Sequence, residues 1–222
     1  MVKAAPMSTT PWARARWLIL APHPDDETLG AGALISHAAS AGRLGGVVYL
    51  TDGTGSHPAG TARVAVTRQA EACRALRILG GSGIETCWLG WRDAHPFGQD
   101  DGAFIRAAGT LAALCRRWRI DAIAVSDRSE SHCDHVAAHE LVHAAARRIC
   151  GRVDIFGYHI WSDPPQCARR IATSSMISGR RCQALRAHRS QLSPLLGPGF
   201  RLPDRKLRMK AQDILTLRRR GR

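Results

Sequence analysis

Short apolar runs alternate along the chain with longer stretches in which apolar positions recur at helical spacing. The first run, residues 17–21, is apolar throughout and ends abruptly in Pro22-His23-Pro24-Asp25-Asp26-Glu27. Gly30, Ala31, Gly32 and Ala33 then open a predicted helix over 27–40, and Gly42, Gly45 and Gly46 mark the turn into a predicted strand over 47–51. That strand ends in Asp52-Gly53-Thr54-Gly55-Ser56-His57-Pro58, a loop by its turn residues. Val66, Ala70, Cys73, Leu76 and Leu79 form an apolar stripe that predicts a helix over 62–79, stopped by Gly80, Gly81 and Gly83. Further strands are predicted over 85–89, 120–126 and 153–161, and further helices over 102–118, 134–150 and 178–191. The ends are less patterned. Residues 1–15, with Pro6 and Pro11, read as a loose arm, and the basic tail from Pro194 holds a candidate helix over 204–217 with no assigned place.

Strands alternating with helices predict an α/β fold with a mostly parallel sheet covered on both faces. Ligands of such sheets gather beyond the carboxyl ends of the strands, where strand order reverses. The charged groups follow that rule: His23 to Glu27 come after the first strand, Asp52 after the second, Asp93 after the third, and His132 to His135 after the fourth. The 222 residues fit a single domain. No apolar run approaches the ~18–20 residues of a membrane span, and 17–21 is too short for a signal-peptide core, so a cytoplasmic protein is expected. Seven cysteines without a C-x-x-C pair fit reduced thiols. The formal charge of +14 is carried almost wholly by arginine, the lysines being Lys3, Lys206 and Lys210. The arginines spread over the chain, densest at Arg218 to Arg220 and Arg222, without interleaved aromatics. They read as composition, and no specific nucleic-acid partner is expected.

Three acids and an imidazole crowded at one strand end are costly to bury unless a cation sits among them. His23 and Asp26, three residues apart around a turn, can converge on one ion. His135 is the candidate third ligand, at a helix start whose positive end disfavours imidazolium. Imidazole and carboxylate suit zinc, whose catalytic sites take three protein ligands and keep a position for water, so one zinc per chain is expected. Asp25 is left free as a general base toward a water acidified by the metal. His132, with Asp134 as its candidate charge partner, would when protonated face the oxyanion of a tetrahedral intermediate. A plainer reading stands beside each assignment: a lone histidine is usually surface or core, and Asp-Asp-Glu before a helix is a capping pattern. The pairing of two such motifs at two strand ends favours a site.

These residues resemble the PIG-L/LmbE-like family of zinc-dependent de-N-acetylases. Its signature joins a Pro/Ala-His-Pro-Asp-Asp-Glu stretch near the N-terminus to a His-Pro-Asp-His stretch after the fourth strand. The first is complete here as Pro22-His23-Pro24-Asp25-Asp26-Glu27, and the second reads His132-Cys133-Asp134-His135, with cysteine in the proline position. That change is expected to loosen the loop and bring a thiol near the metal. The resemblance extends through Thr51-Asp52-Gly53, Arg68-Gln69-Ala70-Glu71, the turn 90–93 and His188-Arg189-Ser190-Gln191, roughly residues 17–191. It implies a Rossmann-like three-layer sandwich and hydrolysis of an N-acetyl group from an amino sugar or glycoconjugate. It further implies His23, Asp26 and His135 as zinc ligands, and Asp25 as the base that returns its proton to the departing amine. His132, beside Asp134, becomes the oxyanion stabiliser, and Arg68 and Asp93 become substrate-binding positions. Read from the residues alone, Arg68 is equally a solvated helix position paired with Glu71, and Trp91 is equally core or a sugar-stacking platform.

The main rival is His139-Glu140-Leu141-Val142-His143, which spells the H-E-x-x-H pattern of zinc proteases. No glutamate follows Glu140, Ala144-Ala145-Ala146-Arg147 breaks the metzincin continuation, and Pro22 to Glu27 would go unexplained. A nucleotide-binding reading of Gly30-Ala31-Gly32 fails because the acidic motif intervenes and would repel phosphate. A basic nucleic-acid-binding module remains the non-catalytic alternative, marked by binding that falls steeply with salt.

Overall fold

The computed structural model describes residues 3–57, 61–149, 151–166 and 168–219, so Pro58, the end of the predicted helix 134–150 at Cys150, and Arg220 and Arg222 lie outside the described residues. Strands β1 (Ala5–Pro6), β2 (Trp17–Ala21), β3 (Leu44–Thr51), β4 (Thr86–Trp91), β5 (Ala122–Ser126), β6 (Asp154–Tyr158), β7 (Arg170–Ala172) and β8 (Ile214–Arg219) form one sheet, ordered β1-β7-β8-β6-β5-β2-β3-β4. All pairings from β6 to β4 are parallel, as is β1 with β7, while β8 runs antiparallel to both its neighbours.

The side chains of β2 explain the layers. Trp17, Ile19 and Ala21 pack with Leu29, Leu34, Leu76 and Leu185 of α1 (Asp26–Ser40), α2 (Thr61–Ile78) and α5 (Arg180–Ala187). Leu18 and Leu20 pack on the other face with Leu111 and Leu141 of α3 (Gly102–Arg117) and α4 (Cys133–Ala146). A parallel strand buried on both faces reads as a continuous apolar run, which is the pattern of residues 17–21. The three-layer α/β sandwich is therefore the fold. Among the described residues, no helix is long and apolar enough to cross a membrane.

From β2 the chain moves outward through β3 and β4, then returns to place β5 and β6 on the other side of β2. Strand order reverses between β2 and β5, so the loops after these two strands lie side by side at the crevice of the sheet.

The ends depart from expectation. The described part of the supposed loose arm is ordered: Met7 and Trp12 are buried, and the Trp12 indole N–H donates to Asp154 at 2.6 Å. The candidate helix over 204–217 is instead a 3-10 turn (Asp204–Arg208) followed by β8, inserted between β6 and β7. Long-range partners decide this. Leu215 and Thr216 are fully buried, and Arg218 grips Asp127 with two hydrogen bonds of 2.6 Å. Such tertiary contacts outweigh local propensity. The predicted helix 178–191 stops at Ala187 and continues as a 3-10 turn, Arg189–Gln191.

Candidate active site

Asp25 sits where β2 turns into α1, with φ 150 and ψ −24, a conformation that L-residues rarely adopt. Such strain persists only where surroundings impose it. Here Glu27 reaches back to accept the Asp25 N–H at 2.9 Å, and Thr28 and Leu29 donate to the Asp25 carbonyl at 3.0 and 2.9 Å. The helix start is thus satisfied without the Asp25 carboxylate, which makes no side-chain cap and stays available. Burial pushes that carboxyl up to about 6, against the pull of Arg68.

Asp26 lies between two imidazoles, its Oδ2 3.1 Å from His23 Nδ1 and 3.2 Å from His135 Nε2. A donor atom from each of the three falls within 4.8 Å of the others. A tetrahedral zinc with bonds of ~2.0–2.1 Å separates its donors by ~3.3–3.4 Å, close to the two separations that Asp26 Oδ2 makes. Burial opposes the Asp26 charge, but His135 and His23 hold the carboxyl far below its usual range. Burial would likewise depress His23, yet its hydrogen bonds with Asp134 and Asp26 raise it to about 10. Carboxylates clasping one imidazole from both nitrogens mark a place where positive charge is favoured.

Asp134 serves His23 more directly than His132. Its Oδ2 lies 3.0 Å from His23 Nε2 and 3.8 Å from His132 Nδ1, and it accepts the Ala94 N–H at 2.7 Å. A carboxylate on the far nitrogen of a ligating histidine fixes its tautomer and orientation. His132 caps α4, its Nδ1 accepting the Asp134 N–H at 3.2 Å, which leaves Nε2 as the donor of a neutral ring. Cys133 is the first residue of α4, so the cysteine does not unravel the helix start; its exposed thiol is absent from both groups of converging metal-ligand atoms among the described residues.

Arg68 is buried, not solvated. It donates to the carbonyls of Pro24 and Gly53 at 2.9 and 3.2 Å and lies 3.6 Å from Asp25 and 3.7 Å from Asp93. Glu71 instead accepts from the backbone and hydroxyl of Ser190 at 2.8 and 2.6 Å. Gly53, at φ +78, is required here, since a Cβ would stand 2.6 Å from Arg68 Cδ. Trp91 is core, 4% exposed. Gly30 admits the Tyr158 ring, which a Cβ would overlap, so packing accounts for it.

One member escaped the sequence reading. Glu130, buried, accepts the N–H groups of Ile160, Trp161 and Ser162 at 2.8, 3.0 and 3.1 Å and the Ser162 hydroxyl at 2.8 Å. Its Oε2 is 3.7 Å from His135 Nδ1, a buried nitrogen with no hydrogen-bond partner of its own.

These groups line a cavity of about 460 Å³, with Asp25, Asp26, His23, His135, Arg68, Asp93 and His132 among its walls. His139 and His143 do not join them. Their rings, 4.6 Å apart on α4, border a separate cleft of about 270 Å³ with Arg128 and Arg147. Among the described residues no third ligand converges on that pair.

A family model described as GlcNAc-PI de-N-acetylase (PIG-L) matches residues 18–146. A 1D-myo-inositol 2-acetamido-2-deoxy-alpha-D-glucopyranoside deacetylase of Corynebacterium kroppenstedtii is 31% identical over 153 residues, covering 57% of this chain and 39% of that protein. The chain spans 39–57% of the length of such curated relatives. An N,N'-diacetylchitobiose deacetylase from Pyrococcus horikoshii has a similar structure, with TM-score 0.66, 22% identity, and coverage of 83% of this chain and 74% of that one. So has a 4-carboxy-2-hydroxymuconate hydratase from Pseudomonas putida, with TM-score 0.57, 17% identity, and coverage of 90% and 93%. Likeness at such identity is likeness of fold, and the reaction has to be argued from the side chains.

Proposed function

Since the chain belongs to the PIG-L family of GlcNAc-PI de-N-acetylases, we propose that it is a zinc-dependent hydrolase that removes an N-acetyl group from an amino sugar or its glycoconjugate. The observation that carries this reading is the convergence of His23, Asp26 and His135 beside the buried carboxylate of Asp25. Those three residues would hold one zinc, which when bound supplies a Lewis acid for the amide carbonyl and acidifies water toward neutral pH.

The protein's own groups do the rest. Asp25 takes the proton of the attacking water and delivers it to the nitrogen as the amide C–N bond breaks, leaving acetate and a free amine. A carboxyl raised toward neutrality suits both halves of that transfer. His132 presents its Nε2–H to the oxyanion, a donor in the neutral state that its lowered basicity favours; burial and the nearby His23 cause that lowering. Arg68 steadies Asp25 on one side and Asp93 on the other, so that Asp93 is poised to accept a sugar hydroxyl.

Replacing Asp25 and Asp26 separates their roles. Asp25→Asn is expected to keep zinc and lower kcat for amine release by ~10²–10⁴-fold, whereas Asp26→Asn loses zinc itself. Normal turnover in Asp25→Asn would remove it as the base.

A further inference from the structure

The H-E-x-x-H stretch lacks a third metal ligand, but its cleft is equipped for something else. His139 and His143 border that cleft of about 270 Å³ together with Gln99, Arg128, Glu140 and Arg147. His139 is buried, and its Nδ1 donates to the Ser126 carbonyl at 3.3 Å, which leaves Nε2 without a hydrogen-bond partner among the described residues. His143 is half-buried, and its enclosed Nε2 likewise has no partner there. Unsatisfied polar groups of this kind are few in folded proteins. Here two occur on adjacent rings at one cleft.

The charge around the pair decides what the cleft suits. Elsewhere the fold supplies carboxylates to its inner arginines: Arg68 has Asp25 and Asp93, Arg181 has Asp213, and Arg218 has Asp127. The side chains of Arg128, Arg147 and Arg219 make no ion pair or hydrogen bond among the described residues. Burial lowers the basicity of both rings. At His143 the charges of His139, Arg219, Arg147 and Arg128 add to that effect and bring the value down to about 4. At His139 Arg218 and Arg128 act in the same direction, opposed by Asp127 and the Ser126 carbonyl. Glu140 is the acid of the cleft wall. Three guanidinium charges against its one carboxylate leave two positive charges over while both rings are neutral. An excess of positive charge that the fold does not neutralise attracts an anion and repels a metal ion.

We infer that this cleft is a second ligand site, which holds a phosphate-class dianion between Arg128 and Arg147 with His139 Nε2 as a further donor. Guanidinium forks match phosphate oxygens bidentately, and the two negative charges offset the two left over. Because Nδ1 of His139 keeps its proton for Ser126, Nε2 donates only when the ring takes up a second proton, so binding tightens as pH falls. The ligand can be free phosphate or the head of a phosphomonoester. For the ester there is room: an adjoining cleft of about 260 Å³ shares Gln99 and Arg147 with the first and runs over Phe104, Ile105 and Ala144, with Asp100 and Arg148 also on its walls. The site is separate from the reaction cavity and does not depend on the deacetylase reading.

The test titrates the full chain at low ionic strength with phenyl phosphate, inorganic phosphate and sulfate, reading binding by calorimetry. Arg128→Gln and Arg147→Gln alter exposed side chains without partners, so folding and zinc content should stay as in wild type. Each is expected to weaken phenyl phosphate about 10-fold or more, as when one charge-assisted hydrogen bond is lost. Arg77→Gln, an exposed position of α2 on the other face of the sheet, should change nothing. Sulfate, which stays a dianion throughout, should bind ~3–10-fold tighter at pH 6 than at pH 8, and His139→Gln should remove that difference. Tighter binding of phenyl phosphate than of inorganic phosphate assigns the site to an ester, and equal binding assigns it to free phosphate. Binding of no probe, binding that neither cleft variant weakens, or an equal loss in Arg77→Gln overturns the inference. So does a short DNA duplex that binds more tightly than phenyl phosphate through the same arginines, and a sulfate affinity independent of pH overturns the role of His139.

Discussion

Glu130→Gln removes one charge from the support beneath the proposed metal site, and the structure specifies the consequence. With the amide oxygen in the Oε1 position, the contacts to Ile160, Ser162 N–H and the Ser162 hydroxyl are kept. The new NH2 group then replaces Oε2, facing the Trp161 N–H that Oε2 accepted at 3.0 Å and His135 Nδ1 at 3.7 Å. The Trp161 N–H then keeps only its second contact, to the Oε1 position at 3.1 Å, and weakening this charge-assisted hydrogen bond costs about 1.5–3 kcal/mol, a fall in Tm of roughly 3–12 °C for a chain of this size. The second effect is on His135. An N–H aimed at Nδ1 makes that nitrogen an acceptor and moves the ring proton to Nε2, the nitrogen that faces Asp26 at 3.2 Å. Ligation needs a lone pair there, so zinc affinity should fall by ~10–100-fold. Competition against a chelating indicator measures the affinity, and urea or thermal unfolding of the metal-free protein measures stability. Wild-type zinc affinity in a destabilised Glu130→Gln protein would refute the tautomer argument and leave Glu130 as a support for the 160–162 loop only.

Two further outcomes follow from the same geometry. Burial alone would raise the Asp127 carboxyl, but the bidentate Arg218 guanidinium lowers it to about 2. A depressed carboxyl stabilises the fold above its unfolded pKa of ~3.9 and loses that contribution as pH falls through the folded value. Arg218→Ala should therefore cost about 2 kcal/mol in urea unfolding at pH 7, and the gap to wild type should close between pH ~4 and ~2; an equal midpoint at pH 7 would contradict this. Gly53→Ala places a methyl group against Arg68 at a left-handed backbone position that costs an L-residue ~1–2 kcal/mol. Displacing Arg68 from Asp25 should lower kcat/KM by about 10-fold or more with zinc content preserved, and wild-type kinetics would show that Arg68 does not position Asp25.

The centre of the sheet was legible because its strands are buried on both faces and its loops carry charge. Trp17–Ala21 followed by Asp25, Asp26 and Glu27 announces a strand end and a site in one stretch. The convergence of His135 with His23 and Asp26 follows from the strand-order reversal between β2 and β5, which alternation alone suggests. Glu130 was not legible. Its partners are backbone N–H groups about 30 residues away, and backbone donors leave no mark in a sequence. β8 was missed for a related reason: Arg218 looks like one more residue of a basic tail until Asp127 stands opposite it. Met7 and Trp12 sit among prolines and small polar residues, and only their burial separates that segment from a free arm. Trp161 and Phe200 are isolated aromatics in loops 39 residues apart, and only the folded loops bring them to one cavity wall.

Zinc content measured together with free-amine release from N-acetylglucosamine glycosides, on one sample, bears most directly on the central claim. About one zinc per chain, with amine release abolished by chelation and restored by zinc, is the predicted result. A protein that binds no zinc, or one that releases amine equally well after the metal is stripped, would contradict it.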